Sequence, residues 1–325
     1  MLNVLAISGP IFFIIFLGFL AVKAKLLRSE ESRALGSFVV HFALPALLFK
    51  ALAQRPAANL VDPTLMTHYG AGSILVFTLI TLVMLRRHSP QKATAMAVGS
   101  SLSNSAFMGF PIAEELFGKD AAGMLAVYVF VENLIIVPLL LIIAELTSKR
   151  EGHWFRLMYE IPSRLIKNPL VLAMIAGIIF STCHIPLQGA PARTINLLSA
   201  ASAPTALFYI GCSLAGLKIK GHSYDIGIIT FSKLILHPCS VLMTFVVFPA
   251  HDAEIIKAAT LNAAMPMATI YPLLSQRYGQ EGIASAILVV TSVLSFISIS
   301  ALLWLFTSDF GGPSILSGLC VAHCD

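Results

Sequence analysis

The chain has 325 residues, of which 57% are hydrophobic and only 11% charged, with a formal net charge of +5. A soluble chain carries about twice that charge fraction, and a mean hydropathy of +0.86 excludes a soluble globular protein. At about 20 apolar residues per crossing, the length holds on the order of ten spans and no sizeable soluble domain. The Lys and Arg residues are spread over short loops and form no extended basic patch, so no nucleic-acid partner is expected.

Apolar runs broken by short polar stretches predict spans at about 2–23, 34–54, 64–85, 92–118, 120–147, 168–184, 190–216, 223–249, 253–279 and 281–307. The opening "MLNVLAISGP" has no positive n-region and no small-residue cleavage site, so span one reads as retained rather than as a signal peptide. Span two carries His41 ahead of Pro45. Span four contains "SNSAFMGFPIAEELFG", in which Ser103, Asn104 and Ser105 precede Gly109 and Pro111. Broken backbone at membrane depth is tolerated only where protein or a wet cavity satisfies it. Glu114 and Glu115 fall near the outer end of that span, where solvation is the default.

Span five places Glu132 and Asn133 at mid-membrane. Ionisable groups there mark proton relays or pair with one another, so Glu132 reads as a proton carrier or as the ion-pair partner of Lys233. The linker over 148–167 interleaves Trp154, Phe155, Met158 and Ile161 with basic residues, the pattern of a short helix lying on the cytoplasmic face. Lys233 sits about ten residues into span eight, where insertion costs roughly 3 kcal/mol. It would balance a substrate carboxylate or pair with an acid. His237, one turn further on the same face, reads as structural. Span nine interrupts its apolar run with Asn262, Met265, Pro266, Thr269 and Pro272. Cys183, Cys212 and Cys239 read as small buried hydrophobes. The tail over 308–325 ends in Cys320, His323 and Cys324, too few ligands for a closed metal site. No metal or cofactor is expected.

The two halves match each other. "GPIFFIIFLGFL" from Gly9 aligns with "NPLVLAMIAGII" from Asn168, which sets Pro10 over Pro169 and Gly18 over Gly177. At the same offset "LPALLF" from Leu44 lies over "APTALF" from Ala203. After a shift of two residues, "FPIAEELFGKDA" from Phe110 lies over "YPLLSQRYGQEG" from Tyr271, with Pro111 over Pro272. Five spans per half would enter the membrane in opposite senses, the inverted repeat of secondary transporters. The domains then run 1–147 (first repeat), 148–167 (linker), 168–307 (second repeat) and 308–325 (tail). The half-helix N-termini of spans four and nine, crossing at mid-membrane, would favour an anionic group.

Fifteen of the 21 Lys and Arg residues fall in loops on one side, five on the other, and Lys233 within a span. This bias places both termini outside. The P-loop, HExxH and GxSxG patterns are absent, which argues against an ATP-driven pump, an intramembrane metalloprotease and a serine hydrolase. An enzyme is not expected. A membrane sensor that binds the ligand without moving it would need a partner for signalling.

"FALPALLFKAL" at 42–52, "SNSAFMGFPI" at 103–112, "SKLILHP" at 232–238 and the short basic central loop resemble the auxin efflux carrier family, whose bacterial members include malonate transporters. The resemblance covers nearly the whole chain. It implies an all-α membrane protein of ten helices in two inverted five-helix repeats, with broken helices four and nine crossing at the substrate site. It also implies a scaffold of spans one, two, six and seven, a transport domain made of the rest, and a homodimer formed through the scaffold. The family's site asparagine falls on Asn104, followed by Pro111. Plant members carry a proline beside that asparagine where this chain has serines, and a long cytoplasmic loop where this one is short. "MPMATIYP" in span nine replaces the glycine-rich stretch of many bacterial relatives. The expected protein is therefore an inner-membrane (plasma-membrane) carrier of a small organic anion, with malonate or a related dicarboxylate first and an indole-type monocarboxylate second, and with a proton or another cation as a possible co-ion. Ser103, Asn104, Ser105 and the backbone near Pro266 would bind the carboxylate, with Lys233 as balancing charge and Glu132 for coupling.

Overall fold

The computed structural model describes residues 2–55, 62–146, 162–163, 166–216, 223–249, 252–276 and 278–307. Most of the 148–167 linker, with its expected surface helix, and the 308–325 tail lie outside the described residues. The described chain is almost entirely helical: α1 (Leu2–Lys23), α2 (Ser29–Phe38), α3 (Leu44–Ala53), α4 (Pro63–Met84), α5 (Pro90–Ser101), α6 (Phe110–Phe117), α7 (Ala121–Val131) and α8 (Val137–Leu146). After the linker come α9 (Pro169–Thr182), α10 (Gly189–Ala200), α11 (Ser202–Gly216), α12 (Ser223–Phe231), α13 (His237–Val247), α14 (Ala253–Ala263), α15 (Tyr271–Gln276) and α16 (Glu281–Thr307).

Among the described residues six continuous helical runs are long and apolar enough to cross a membrane: Glu30–Ala53, Pro63–Met84, Ser105–Ile143, Gly189–Ala215, Ser223–Val247 and Glu281–Phe306. Gly9–Lys23 and Pro169–Thr182 are shorter apolar helices. The 39-residue run over Ser105–Ile143 would reach about 58 Å if straight, nearly twice a bilayer core. It does not stay straight. Gly118, at φ +55°, and the 3-10 turn Gly118–Asp120 fold α6 back against α7.

Four prolines shape three of these runs in one way. A π turn precedes each of Pro45, Pro111, Pro138 and Pro238, at Val39–Ala43, Ser105–Gly109, Glu132–Ile136 and Ser232–Leu236. In each, the residue before the proline donates its N–H to the carbonyl five residues back: Leu44 to Val39, Phe110 to Ser105, Val137 to Glu132, His237 to Ser232. A proline ring collides with the carbonyl four residues before it and supplies no N–H. One extra residue in the preceding turn relieves that collision, and such π bulges concentrate at functional sites.

Pro111 and Gly109 therefore widen their helix and do not break it. The break in this stretch lies earlier, at Leu102–Asn104, where Leu102 has extended backbone (φ −96°, ψ 114°). Its counterpart lies between α14 and α15. The two interruptions pair antiparallel: Asn104 N–H donates to Pro266 O at 2.8 Å and Ala268 N–H to Leu102 O at 3.1 Å. Each gap thus satisfies the other's backbone.

Two groups of helices pack largely within themselves. In one, α1 lies along α11, α9 and α10 pack on α3, and α11 meets α2. Gly18 and Gly211 bring α1 and α11 to backbone contact: a Cβ at Gly18 would overlap Phe208 O, and one at Gly211 would overlap Ile15 O. Gly177 of α9 lies close to Phe49 O of α3 as well, though less tightly, 2.9 Å from an added Cβ. Small residues of this kind let membrane helices approach closely. In the other group α4 packs on α5 and α13, α13 on α14, and α15 on α16, around a core that includes Tyr69, Phe77, Met96, Val241 and Phe245. Two smaller cores, one containing Leu48 and Phe110 and one containing Met108 and Leu207, fill the seam between the groups. Of the apolar-segment cysteines, Cys212 is buried, while Cys183 and Cys239 lie on the exposed surface, contrary to the expectation of burial. That surface is apolar where it would meet lipid, so a hydrophobic run alone does not separate core from lipid face.

Candidate functional site

The paired interruptions put the polar residues of α5–α6 beside those of the π turns. A cavity of about 360 Å³ lies there. Ser103, Asn104 and Ser105 line it from the first interruption, Thr269 from the second, and Glu132 and Asn133 from the π turn between α7 and α8. Asn168, the N-cap of α9, also lines it. No Lys, Arg or His is among its lining residues, which are otherwise apolar.

Asn104 is 3% exposed. Its backbone is spent on Pro266, Met108 and Gly109, but its side-chain amide has no protein hydrogen bond. A buried amide of this kind is costly unless something else meets it. Ser105, Ala106 and Phe107, the first turn after the break, also line the cavity. N–H groups in a first turn have no acceptor within their own helix, and the helix dipole adds positive potential there. Thr269 Oγ1 is likewise buried without a partner.

Behind this wall runs a continuous buried network. Lys233 is fully buried, and its ammonium reaches Ser103 Oγ at 2.7 Å, His237 Nδ1 at 2.8 Å and the Ala263 carbonyl at the end of α14 at 2.8 Å. Three hydrogens meet three acceptors. With Nδ1 accepting, the ring proton of His237 sits on Nε2, 2.9 Å from Ser73 Oγ. Tyr69 OH lies 2.8 Å from Glu132 Oε1 and 3.1 Å from Ser103 Oγ. It has one hydrogen, and the nearer carboxylate takes it; the Ser103 hydroxyl then donates to the Tyr69 oxygen. Ser105 Oγ donates to Glu132 Oε1 at 2.5 Å and accepts from Asn262 Nδ2 at 3.0 Å. Glu132 and Lys233 are thus joined through Tyr69 and Ser103 and make no direct ion pair.

The sequence-predicted residues therefore divide. Ser103, Asn104, Ser105, Thr269, Glu132 and Asn133 reach the cavity. Lys233 stands behind Ser103 and Asn262 behind Ser105. Pro266 contributes its carbonyl to the backbone pairing. Gly109 lets α6 approach α14, since a Cβ there would lie 2.8 Å from Asn262 Oδ1 and 3.4 Å from Met265 Cγ. Pro111 sets the π turn that carries Ser105. Sequence reasoning missed Tyr69, Ser73 and Asn168. Tyr69 could have been suspected because a tyrosine hydroxyl inside a span needs a partner. Asn168 stands directly before Pro169, the Asn-Pro start of a capped helix.

A second space of about 650 Å³ shares Val40, Phe107, Thr269 and Ile270 with the first and extends to Arg33 and Glu281. The Phe107 and Tyr209 rings both line it, with centroids 5.7 Å apart.

Across residues 8–304 the chain matches the family described as membrane transport protein. It is 30% identical to a protein of Rhizobium meliloti (strain 1021) named "Putative malonate transporter", over 92% of this chain and 94% of that one. It is 26% identical to the "Uncharacterized transporter YfdV" of Escherichia coli (strain K12), over 92% and 96%. Identity to the "Auxin efflux carrier component 8" of Arabidopsis thaliana is 23%, over 85% and 89%. A multi-pass helical chain, interrupted twice around a buried polar cavity and matched nearly end to end by these proteins, belongs to the membrane transport protein family that includes the auxin efflux carriers.

Proposed function

We propose that this chain is a secondary transporter that moves a small organic anion across the cell membrane by alternating access. Asn104 carries the reading: a buried amide without a protein partner, in a cavity, at the N-terminal end of a helix that starts inside the membrane. Such half-helix N-termini bind anionic substrate groups in transporters. The substrate carboxylate accepts from Asn104 and from the first-turn N–H groups of Ser105–Phe107. Lys233 acts from behind Ser103 as a fixed positive charge at the carbonyl end of α14.

Ten crossings in two inverted five-helix repeats are favoured by two equivalent contacts. Gly18 meets the Phe208 backbone and Gly177 the Phe49 backbone, and the alignment of the halves sets Gly18 over Gly177 and Phe49 over Phe208. The interrupted helices would be the crossover helices. The group containing α1, α3, α9 and α11 would be the scaffold and dimer surface, and the other group would be the moving body. The positive-inside bias puts both termini outside, so the space beside Arg33 would open to the cytoplasm.

Glu132 faces the cavity and is wired to Lys233 by two hydroxyls, a route by which a proton could accompany the anion. Malonate or a related dicarboxylate is the first cargo, by similarity to the rhizobial protein. A monocarboxylate with an apolar body is the second, favoured by the absence of basic side chains among the cavity's lining residues.

In proteoliposomes, labelled malonate is expected to accumulate saturably, in proportion to internal volume, and faster under an imposed pH gradient. Glu132→Gln is expected to abolish the gradient's effect. Label retained independently of internal volume would instead identify a binding protein. A gradient response that persists in the variant would remove Glu132 from coupling.

A further inference from the structure

Asn133 and Asn168 form an amide pair across the seam between the two helix groups. Asn168 Nδ2 donates to Asn133 Oδ1 at 3.0 Å, and Asn133 Nδ2 donates to Val129 O at 2.9 Å. Asn168 Oδ1 caps α9 by accepting from Leu170 N–H at 3.0 Å. Each amide nitrogen carries two hydrogens, and one of each is accounted for. Both residues line the 360 Å³ cavity that also holds the unpartnered, 97%-buried Asn104. The second hydrogens are left for a ligand, beside the positive end of the 14-residue helix α9.

We infer that this pair is a second carboxylate subsite, so that the cavity reads a short dicarboxylate at both ends: one carboxylate on Asn104, the other on Asn133 and Asn168. The inference rests on the transporter reading above. It answers a problem that reading leaves, because a dianion in this cavity meets no basic side chain and has Glu132 on the same wall. Two amide donors and a helix terminus supply the compensation that a lysine or arginine would otherwise give. Asn133 leads into α8, which packs on α5 of one group, and Asn168 caps α9, which packs on α3 of the other. A substrate held by both therefore ties its own binding to the relative position of the two bodies.

The test is discrimination between matched substrates. Wild-type protein and the Asn133→Leu and Asn168→Ser variants are reconstituted, and KM is measured for malonate and succinate against propionate and butyrate. Serine retains a helix cap at position 168, so loss of folding is guarded against, and thermal unfolding in detergent checks it. Hydrogen bonds to a charged group make the expected loss roughly tenfold to a hundredfold in the dicarboxylate-to-monocarboxylate preference for each variant. Asn104→Ala is expected to weaken both classes together. Equal KM changes for both classes in the two variants, or none, would overturn the subsite while leaving the transporter reading intact. Absence of any carboxylate flux in the wild type would overturn both.

Discussion

Lys233 shows how one side chain can be costly and still fixed. Its three hydrogen bonds end on Ser103, His237 and Ala263, and it has no exposed surface. Lys233→Ala would leave all three groups without a donor and Glu132 without its linked cation. Hydrogen bonds to a charged group contribute about 1.5–3 kcal/mol each, so the variant is expected to unfold at markedly lower temperature in detergent, while an exposed change such as Lys25→Ala leaves the transition in place. An unchanged transition would show that the ammonium is not held as described. Polar residues standing alone in apolar runs made Lys233, Glu132, Asn104 and Ser103 legible in the sequence. Tyr69 offered only the weak signal of a hydroxyl inside a span; its partner, Glu132 at 2.8 Å, was not legible.

At the scale of elements, the prolines do the positioning. Glu132, Ser105 and Lys233 each sit at the first or second place of a π turn that ends two residues before a proline. Closing such a turn to a regular α-helix removes one residue of offset and rotates what precedes it by about 100°. Pro238→Ala permits that closure. It is expected to lower flux at least tenfold by turning Lys233 away from Ser103, while the helical content by circular dichroism is kept at the assay temperature. Flux at the wild-type rate would show that the turn is held by packing and not by the proline. The helices themselves were readable from hydropathy and length, and the two disturbed spans from their Pro and Gly content. The place of the first break was not readable. It lies at Leu102–Asn104 because those residues pair with Pro266–Ala268, a tertiary contact between segments more than 160 residues apart that no local pattern announces. The repeat in the sequence marked that the two segments correspond; the backbone pairing that joins them became visible only in three dimensions.

At the scale of the whole molecule, two groups of helices meet along a seam and enclose the polar cavity that holds Asn104. The first group depends on its glycine crossings. Gly211→Leu would drive a side chain into the backbone of α1 at Ile15 and is expected to destabilise the protein by about 1–3 kcal/mol or more, read as a lower melting temperature and loss of the monodisperse peak on gel filtration. Normal behaviour would contradict the close packing of α1 on α11. The proposed orientation has its own check: cysteines placed at Lys25 and Lys119 in a cysteine-free background should react with an impermeant maleimide from opposite sides, Lys119→Cys from outside. The central claim is that Asn104 binds a carboxylate that the protein then moves, and it is tested most directly by side-by-side flux of labelled malonate in proteoliposomes of wild-type and Asn104→Ala protein, both folded by thermal melting. The account predicts saturable flux in the wild type, reduced at least tenfold in the variant; equal flux in the two proteins would contradict it.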